Sequence, residues 1–185
     1  MNYIRIEEIK KELKKNLPEK TYLHTLRTVN MAMELCVDTA ADRNVVFLAA
    51  LLHDCAKKTK PNSEQLLELD DFAGYEKVIH APLGAVIARQ KYGIQEERVL
   101  NAIRYHTTGR PQMNLEEQIV FLADAIEDER DYPGVEQIRE KTKLSIADGV
   151  LESLRGTVQF ETGNGSRLHP LTLQAIAYFE QRKGI

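Results

Sequence analysis

Helical periodicity runs through almost the whole chain, and no segment alternates convincingly between apolar and polar residues at period two. Two helices are predicted at about 4–17 and 19–37, separated by Pro18. The apolar stripe of the second helix comprises Tyr22, Leu26, Val29, Met33 and Cys36. A chain whose segments all share this period packs helix on helix, so we expect an all-α fold.

The third predicted helix carries the apolar run VVFLAALL, begins near Asp42 as its N-cap and is expected to end at Pro61. A strand is the competing interpretation of a short apolar run, but its alanines and its length favour a helix. Because this helix is apolar on all sides, we expect it at the centre of the fold. Asn62 and Gln65 then form a capping box for a short helix.

Capping residues and helix breakers predict five further helices downstream. They comprise a helix from Pro82 to Gly93 with His80 just before it, a helix through Val99, Ile103 and His106 that Gly109 ends, a helix opened by Asn114 and Glu117, and helices over about 135–154 and 170–183. The segment GTVQFETGNGSR between the last two is rich in Gly, Thr and Asn and is predicted to be a loop. One domain over 1–185 is the simplest account.

The charge balance excludes several classes of partner. The chain has 25 basic and 28 acidic residues in 185, a net charge of −3, which gives no footprint for nucleic acid or an anionic membrane. Cys36 and Cys55 are too few for a disulfide framework, which favours a reducing compartment. The N-terminal segment is amphipathic rather than signal-like, and no apolar stretch approaches the ~20 residues that a membrane span needs. We expect a soluble, cytoplasmic protein.

Four of the five histidines lie on or beside helices that are predicted to pack together: His24, His53, His80 and His106. His24 lies opposite the apolar stripe of its helix and is expected to face the interior. Asp54 follows His53 directly, and Asp124 interrupts the apolar sequence VFLADAI, where an unpaired carboxylate would be costly to bury. Imidazoles and carboxylates together suit Fe, Mn, Zn or Co, whereas thiolates are absent from the set.

The order His24, His53–Asp54, Asp124 resembles the H…HD…D signature of HD-domain metal-dependent phosphohydrolases, and the resemblance covers about 22–126. It implies an all-α HD-domain helical bundle, here followed by a C-terminal helical extension. It also implies that these four residues bind one or two metal ions. The metal it implies is Fe, with Mn or Co as alternatives. His80 and His106 match the branch of the family that binds a second metal or phosphate.

Three stretches, YHTTGRPQM, ADAIEDERDYPGVEQIR and RLHPLTLQAIAYF, resemble the bacterial HD hydrolases that cleave diadenosine tetraphosphate symmetrically into two ADP molecules. That subgroup often has Pro-Gly after the IE of its ADxIE motif, whereas here Glu127 is followed by Asp128 and Glu129. The difference falls on the loop that leads to Arg130 and leaves Asp124 untouched.

The resemblance implies a role for each matching residue. Asp54 would bridge two ions, and Asp54, His80, His106 and Lys57 would be catalytic. The substrate-binding set would comprise His24, Arg27, Lys57, His80, His106, Thr107, Thr108, Arg130 and His169. The glycine-containing stretch 163–169 would close over a nucleotide. A metal held at the site would activate water for attack on phosphorus, and the family resemblance also suggests a homodimer.

Simpler roles remain open for several of these residues. His80 could merely precede a helix, His106 could complement a helix C-terminus, and His169 could only shape a turn before Pro170. Lys57, Lys58 and Lys60 could complement the helix dipole, and Arg130 could pair with Glu127 or Asp131. Alternative functions are an HD-type nucleotidase, a deoxynucleoside triphosphate phosphohydrolase, or a nucleotide-sensing module without turnover.

Overall fold

The computed structural model describes residues 3–183, and the regular secondary structure within that range is entirely helical. Its ten α-helices are α1 (Tyr3–Asn16), α2 (Glu19–Leu35), α3 (Arg43–Leu52), α4 (Ser63–Glu68), α5 (His80–Gln90), α6 (Glu97–Arg104), α7 (Leu115–Ile126), α8 (Val135–Leu144), α9 (Ile146–Gly163) and α10 (Pro170–Lys183). A short 3-10 helix (Asp70–Phe72) follows α4. The prediction of an all-α fold is confirmed. None of the helices between residues 3 and 183 is long and apolar enough to cross a membrane.

Helix α3 lies at the centre of the larger core, as its sequence predicts. It packs against α2, α6 and α7. Val46, Leu51 and Leu52 on this helix are completely buried. The Asp42 side chain caps its start by accepting hydrogen bonds from the backbone N–H groups of residues 44 and 45. The helix ends at Leu52 rather than near Pro61, and the chain then turns through residues 53–58. His53 keeps α-helical backbone angles, φ −53° and ψ −42°, and with Asp54 begins that turn.

A second core lies on the other side of α7 and is completed by the three C-terminal helices. Phe121, Leu122 and Ile126 of α7 pack there with residues of α8, α9 and α10, among them Leu151 and Leu154. Ile119, Val120 and Ala123 of the same helix pack in the first core. Helix α7 is therefore buried on both sides, which fixes the position of its last turn, where Asp124 lies.

The expected helix over 135–154 is two helices, and the expected loop after it is largely helical. Ser145 separates α8 from α9 because its hydroxyl accepts a hydrogen bond from the Asp148 N–H and starts a new helix. Helix α9 then continues through Gly156 to Gly163. The weak helix propensity of this segment is overridden by packing of the preceding turns, in which Leu151 and Leu154 are fully buried.

Two histidines occupy different helical positions from those expected. His80 is the first residue of α5 rather than lying just before the helix, and Pro82 is the third residue. Proline is tolerated in a first helical turn because the N–H groups there have no partner within the helix. Helix α6 ends at Arg104, so His106 lies in the following turn and not on the helix face. Both histidines nevertheless point into the same region as His53.

Candidate metal and phosphate site

Four polar residues meet where α2, α3 and α7 come together. His24 comes from the middle of α2, His53 and Asp54 follow the last residue of α3, and Asp124 lies in the last turn of α7. His24 Nε2 is 2.8 Å from Asp124 Oδ1, and His53 Nε2 is 3.9 Å from the same oxygen. Ligand-type atoms of His24, His53 and Asp124 all lie within 4.8 Å of one another, which is close enough for one ion to contact all three.

A second group shares His53 with the first and adds residues from the far side. It consists of His53, Asp54 and His106, again with ligand-type atoms within 4.8 Å of one another. His106 Nε2 lies 3.6 Å from Asp54 Oδ1, and His80 Nε2 lies 3.3 Å from the same oxygen. Asp54 therefore lies between the first group and the two further histidines, His80 and His106.

His53 and His106 are oriented by their own backbone. The Nδ1 atom of His53 hydrogen-bonds to the Ala50 carbonyl at 2.7 Å, and that of His106 to the Ile103 carbonyl at 2.8 Å. In each ring this leaves Nε2 directed into the cluster, buried and without a hydrogen-bond partner among the residues described. Burial lowers the pKa of His53 to about 4, so its imidazole is neutral at physiological pH. A neutral ring with its Nδ1–H anchored is the form in which histidine binds metals.

Both carboxylates of the cluster are held in the ionised form. Burial alone would raise the pKa of Asp124, but His24, His53 and Arg130 hold it far below its usual range. Asp54 behaves in the same way, since its surrounding imidazoles and Lys57 outweigh burial and lower its pKa strongly. Asp54 Oδ1 is also buried without a hydrogen-bond partner in residues 3–183. Ionised carboxylates, the neutral His53 imidazole and buried ligand atoms without a hydrogen-bond partner are together the kind of donor set that a divalent transition metal requires.

Two cations border the cluster. Lys57 Nζ donates a hydrogen bond to His80 Nε2 at 3.0 Å and lies 3.2 Å from Asp54 Oδ1. Arg130 donates from Nη2 to Asp124 Oδ1 at 2.6 Å and from Nε to the Asp124 carbonyl at 2.8 Å. Both side chains are between a third and two fifths exposed, so they face solvent at the mouth of the cluster. Lys58 and Lys60 are exposed, as expected of solvated charges.

Glu127 is a further member of this site, and the sequence suggested it only as one of two alternative partners of Arg130. It is 2% exposed, and its Oε1 accepts a hydrogen bond from His24 Nδ1 at 3.1 Å. Its other oxygen accepts from Arg27 Nε at 2.7 Å, so one carboxylate connects two of the predicted site residues. Burial would raise the pKa of Glu127, but the Arg27 guanidinium lowers it. The only sequence signal was its position, three residues after Asp124 at the end of an apolar helix.

The predicted threonines lie in the turn that carries His106. Thr107 Oγ1 is buried without a hydrogen-bond partner in the described residues, whereas Thr108 Oγ1 donates to the Gly109 carbonyl at 2.9 Å. Gly109 has a left-handed backbone conformation, φ +61°, which lets the chain turn immediately after them. Thr107 therefore has a free hydroxyl to offer a ligand, while the hydroxyl of Thr108 serves the turn.

His169 is not part of the cluster. Its ring stacks on Phe72 with centroids 4.4 Å apart, and its Nε2–H donates to the Asp71 carbonyl at 2.9 Å. Its Nδ1 accepts from the Leu171 N–H at 3.2 Å. Gly163 is the last residue of α9, and residues 164–169 form the short connection to α10. His169 lines instead a cleft of about 310 Å³ beside the turn that carries His106.

Comparison with known proteins gives consistent matches. The HD domain family matches residues 21–129. A protein of Halalkalibacterium halodurans named "Bis(5'-nucleosyl)-tetraphosphatase, symmetrical" is 39% identical over 167 residues, which are 87% of this chain and 89% of that protein. A protein of the same name from Staphylococcus aureus is 35% identical over 184 residues, 95% of each chain. A crystal structure of a predicted HD superfamily hydrolase involved in NAD metabolism, from Clostridium acetobutylicum, is 34% identical and superposes with a TM-score of 0.88 over 96% of this chain and 97% of that one.

Proposed function

This chain belongs to the HD domain family, and from that premise we propose that it is a metal-dependent hydrolase that cleaves diadenosine tetraphosphate symmetrically into two ADP molecules. Relatives that carry the name of this activity resemble the chain over 87% to 95% of its length. The observation that carries the proposal is the pair of overlapping His/Asp groups that share His53. A group of this kind serves phosphate chemistry because it can hold cations against the oxygens of a polyphosphate.

A divalent metal at the cluster would supply a Lewis acid for the phosphoryl oxygens and an activated water. His24, His53, Asp54 and Asp124 are the residues that would hold it, and the position of Asp54 between the two groups supports a bridging role if two ions bind. We propose Fe as the native metal, with Mn or Co as substitutes. The mixed imidazole and carboxylate set, free of thiolate, supports any of these three metals.

The two cations at the mouth would neutralise the substrate. Lys57 presents an ammonium as a point charge, and Arg130 presents a planar guanidinium that can bind two phosphate oxygens at once. Both already contact carboxylates of the cluster, so binding of a polyphosphate anion exchanges one anionic partner for another. His80 and His106 lie on the Lys57 side, where their imidazoles would donate to the departing phosphate oxygen once protonated at Nε2, and Thr107 Oγ1 offers a further hydrogen bond. Arg27 would act from the opposite side through its contact with Glu127.

The proposal also covers the domain organisation, the location, the partner and the assembly of the protein. The helices after residue 129 lie beyond the family match, and we propose that they form a C-terminal extension of a single HD domain. Cys36 and Cys55 are both buried free thiols, which supports a reducing, cytoplasmic location. The nucleotide is the proposed partner, with no role for nucleic acid or membrane. A homodimer is the proposed assembly.

The test is an incubation of the purified protein with diadenosine tetraphosphate and Fe²⁺, Mn²⁺ or Co²⁺, followed by chromatographic separation of the products. ADP as the sole product is the expected result. ATP plus AMP would retain the hydrolase and refute the symmetrical cleavage. Release of a nucleoside from a monophosphate, or of triphosphate from a deoxynucleoside triphosphate, without turnover of the dinucleotide would move the function to those alternatives. Tight ADP binding with no turnover in any metal would indicate a sensor.

A further inference from the structure

The cleft that His169 lines is formed by three separate parts of the chain. They are the 3-10 helix and the turn after it, the end of α6, and the start of α10. The lining residues are Asp71, Phe72, Tyr75, Arg104, Tyr105, His169, Pro170, Leu171 and Gln174. Tyr105 directly precedes His106, so the backbone of one cleft wall leads into the turn that carries this residue of the metal and phosphate site. A volume of about 310 Å³ is at the lower end of the range for small-ligand sites, and suits a nucleoside better than a whole dinucleotide.

The aromatic side chains of the cleft are held in place. The Arg167 guanidinium lies 4.5 Å from the centre of the Tyr75 ring, and the Arg110 guanidinium lies 5.2 Å from that of Tyr105. The His169 ring is fixed through both of its nitrogens and stacks on Phe72, so its part in the cleft is to support the wall. Tyr75 and Tyr105 remain partly exposed and are the rings available for stacking on a planar ligand.

The charged groups of the cleft also distinguish a nucleoside from a polyphosphate. Arg104 is half-buried and has neither an ion-pair nor a hydrogen-bond partner among the described residues, although arginines elsewhere in the chain pair with carboxylates. Asp71 lies in the same cleft and would repel a chain of phosphates, but its carboxylate can accept hydrogen bonds from an exocyclic amine or a ribose hydroxyl. One cation beside the His106 turn and one anion in the cleft match a nucleoside whose phosphates point towards the cluster.

We propose that this cleft binds one of the two nucleosides of the substrate, with its base stacked on Tyr105 or Tyr75 and its nearest phosphate contacted by Arg104. The inference rests on the proposed function for the identity of the substrate. It assigns the aromatic pair and Arg104 a role in recognition that is separate from the chemistry of the cluster. After cleavage, the same cleft holds the nucleoside of one ADP product.

The test compares ADP with pyrophosphate, because the two ligands share a diphosphate and differ by the nucleoside. Calorimetric titration of the Mn²⁺-loaded full-length protein gives the ratio of the two affinities. Base stacking on an aromatic ring contributes enough to make ADP bind roughly ten- to a hundredfold more tightly than pyrophosphate. Tyr105→Ala and Tyr75→Ala should lower that ratio about tenfold while pyrophosphate affinity stays unchanged. Arg104→Gln, which breaks no ion pair or hydrogen bond among the described residues, should lower ADP affinity severalfold.

Phe160→Ala is the matched control, since Phe160 is 66% exposed on α9 and does not line the cleft. It should leave both affinities unchanged. Equal affinities of the wild-type protein for ADP and pyrophosphate would refute the inference, as would unchanged ADP preference in all three cleft variants. If the tyrosine variants lose affinity for ADP and for pyrophosphate equally, the tyrosines have a structural role, and the inference is refuted as well. Turnover of diadenosine tetraphosphate by the wild-type protein tests the proposed function separately, so failure of one is distinguishable from failure of the other.

Discussion

The Nδ1 atom of His24 lies 3.1 Å from Oε1 of the buried Glu127, at the opposite edge of the ring from Asp124. A carboxylate in this position accepts the Nδ1–H and leaves Nε2 directed towards the cluster. It also fixes the rotation of the ring, because the second oxygen of Glu127 is held by Arg27 Nε and by the Glu129 N–H. Glu127 is thus a positioning residue for a proposed metal ligand, connected at the same time to a proposed substrate contact.

Replacement of Glu127 by alanine is expected to weaken Mn²⁺ binding roughly 10- to 100-fold, the usual effect of removing the carboxylate behind a ligating histidine. The His24 ring loses its acceptor and becomes free to rotate. Calorimetric titration of metal-free protein with Mn²⁺ measures the effect without relying on turnover. Glu127→Gln keeps an acceptor oxygen at the same distance and should recover part of the affinity.

Glu129→Ala is the control for this comparison. Glu129 is 70% exposed and contacts Arg27 at 3.2 Å, but has no contact with His24 among those of residues 3–183. Metal affinity should therefore be unchanged in that variant. Wild-type affinity in Glu127→Ala would show that the orientation of His24 is set by Asp124 and the helix alone.

Metal binding should stabilise the folded protein. This stabilisation should require His53 but not His169, although both histidines are buried. A metal at 100 times its dissociation constant adds about 2.7 kcal/mol to the free energy of unfolding if it binds only the native state. His53→Gln removes a central ligand atom and should abolish the rise in melting temperature that Mn²⁺ produces. His169→Gln should retain the rise, because His169 contacts Phe72 and Tyr75 instead of the cluster. Equal loss in both variants would contradict the assignment of His53 as a ligand.

The cluster could be predicted because each member interrupts a strong helical pattern. His53 and Asp54 end the most apolar helix, and Asp124 is a carboxylate inside an apolar run. Burying a polar side chain at such a position costs free energy unless it has a polar partner. The other histidines of the sequence are the candidates for those partners. The neighbourhood of His169 could not be predicted in this way. Its contacts reach back about 98 residues to the backbone of Asp71, and nothing in either local pattern specifies that pairing.

Glu127 and helix α9 are two features that local sequence patterns do not predict, for different reasons. The partner of Glu127 is His24, 103 residues earlier, so its burial depends on tertiary packing of α2 against α7. In α9 the run after Leu154 has low helix propensity, yet the packed turn before it allows the helix to continue. By contrast, the start of α9 has a local signal that the prediction of one helix over 135–154 missed, since Ser145 and Asp148 have the spacing of an N-terminal cap.

We expect Arg110 to contribute more to the free energy of unfolding than Arg98, although Arg98 contacts more carboxylates. Arg110 donates from Nε and Nη2 to the two oxygens of Glu117, both at 2.7 Å, and the Glu117 side chain is completely buried. Arg110→Ala leaves that carboxylate unpaired in the interior and should cost about 3 kcal/mol of unfolding free energy. Arg98 contacts three carboxylates but is 45% exposed, so Arg98→Ala should have little effect.

Urea denaturation of the two arginine variants measures this difference directly. The midpoint for Arg110→Ala should fall clearly, with an unchanged slope, while that for Arg98→Ala stays close to the wild-type value. Arg110→Leu tests the reason, because it keeps the alkyl packing and still leaves Glu117 unpaired. A stability equal to that of the wild type in both Arg110 variants would mean that water reaches the Glu117 carboxylate.

Two glycines of helix α9 should respond to alanine in opposite directions. A Cβ atom on Gly149 would clash with Thr142 Oγ1 and lie 3.0 Å from Thr142 Cα, so the close contact between α8 and α9 depends on its absence. Gly149→Ala should therefore destabilise the protein by about 1–3 kcal/mol through overpacking. A Cβ on Gly156 meets nothing within 4 Å, and Gly156→Ala should stabilise by roughly 0.5–1 kcal/mol through helix propensity. At this chain length, each 1 kcal/mol shifts the melting temperature by about 2–4 °C. Thermal unfolding should thus separate the two variants, and a destabilised Gly156→Ala would show that the segment after Leu154 is not helical in solution.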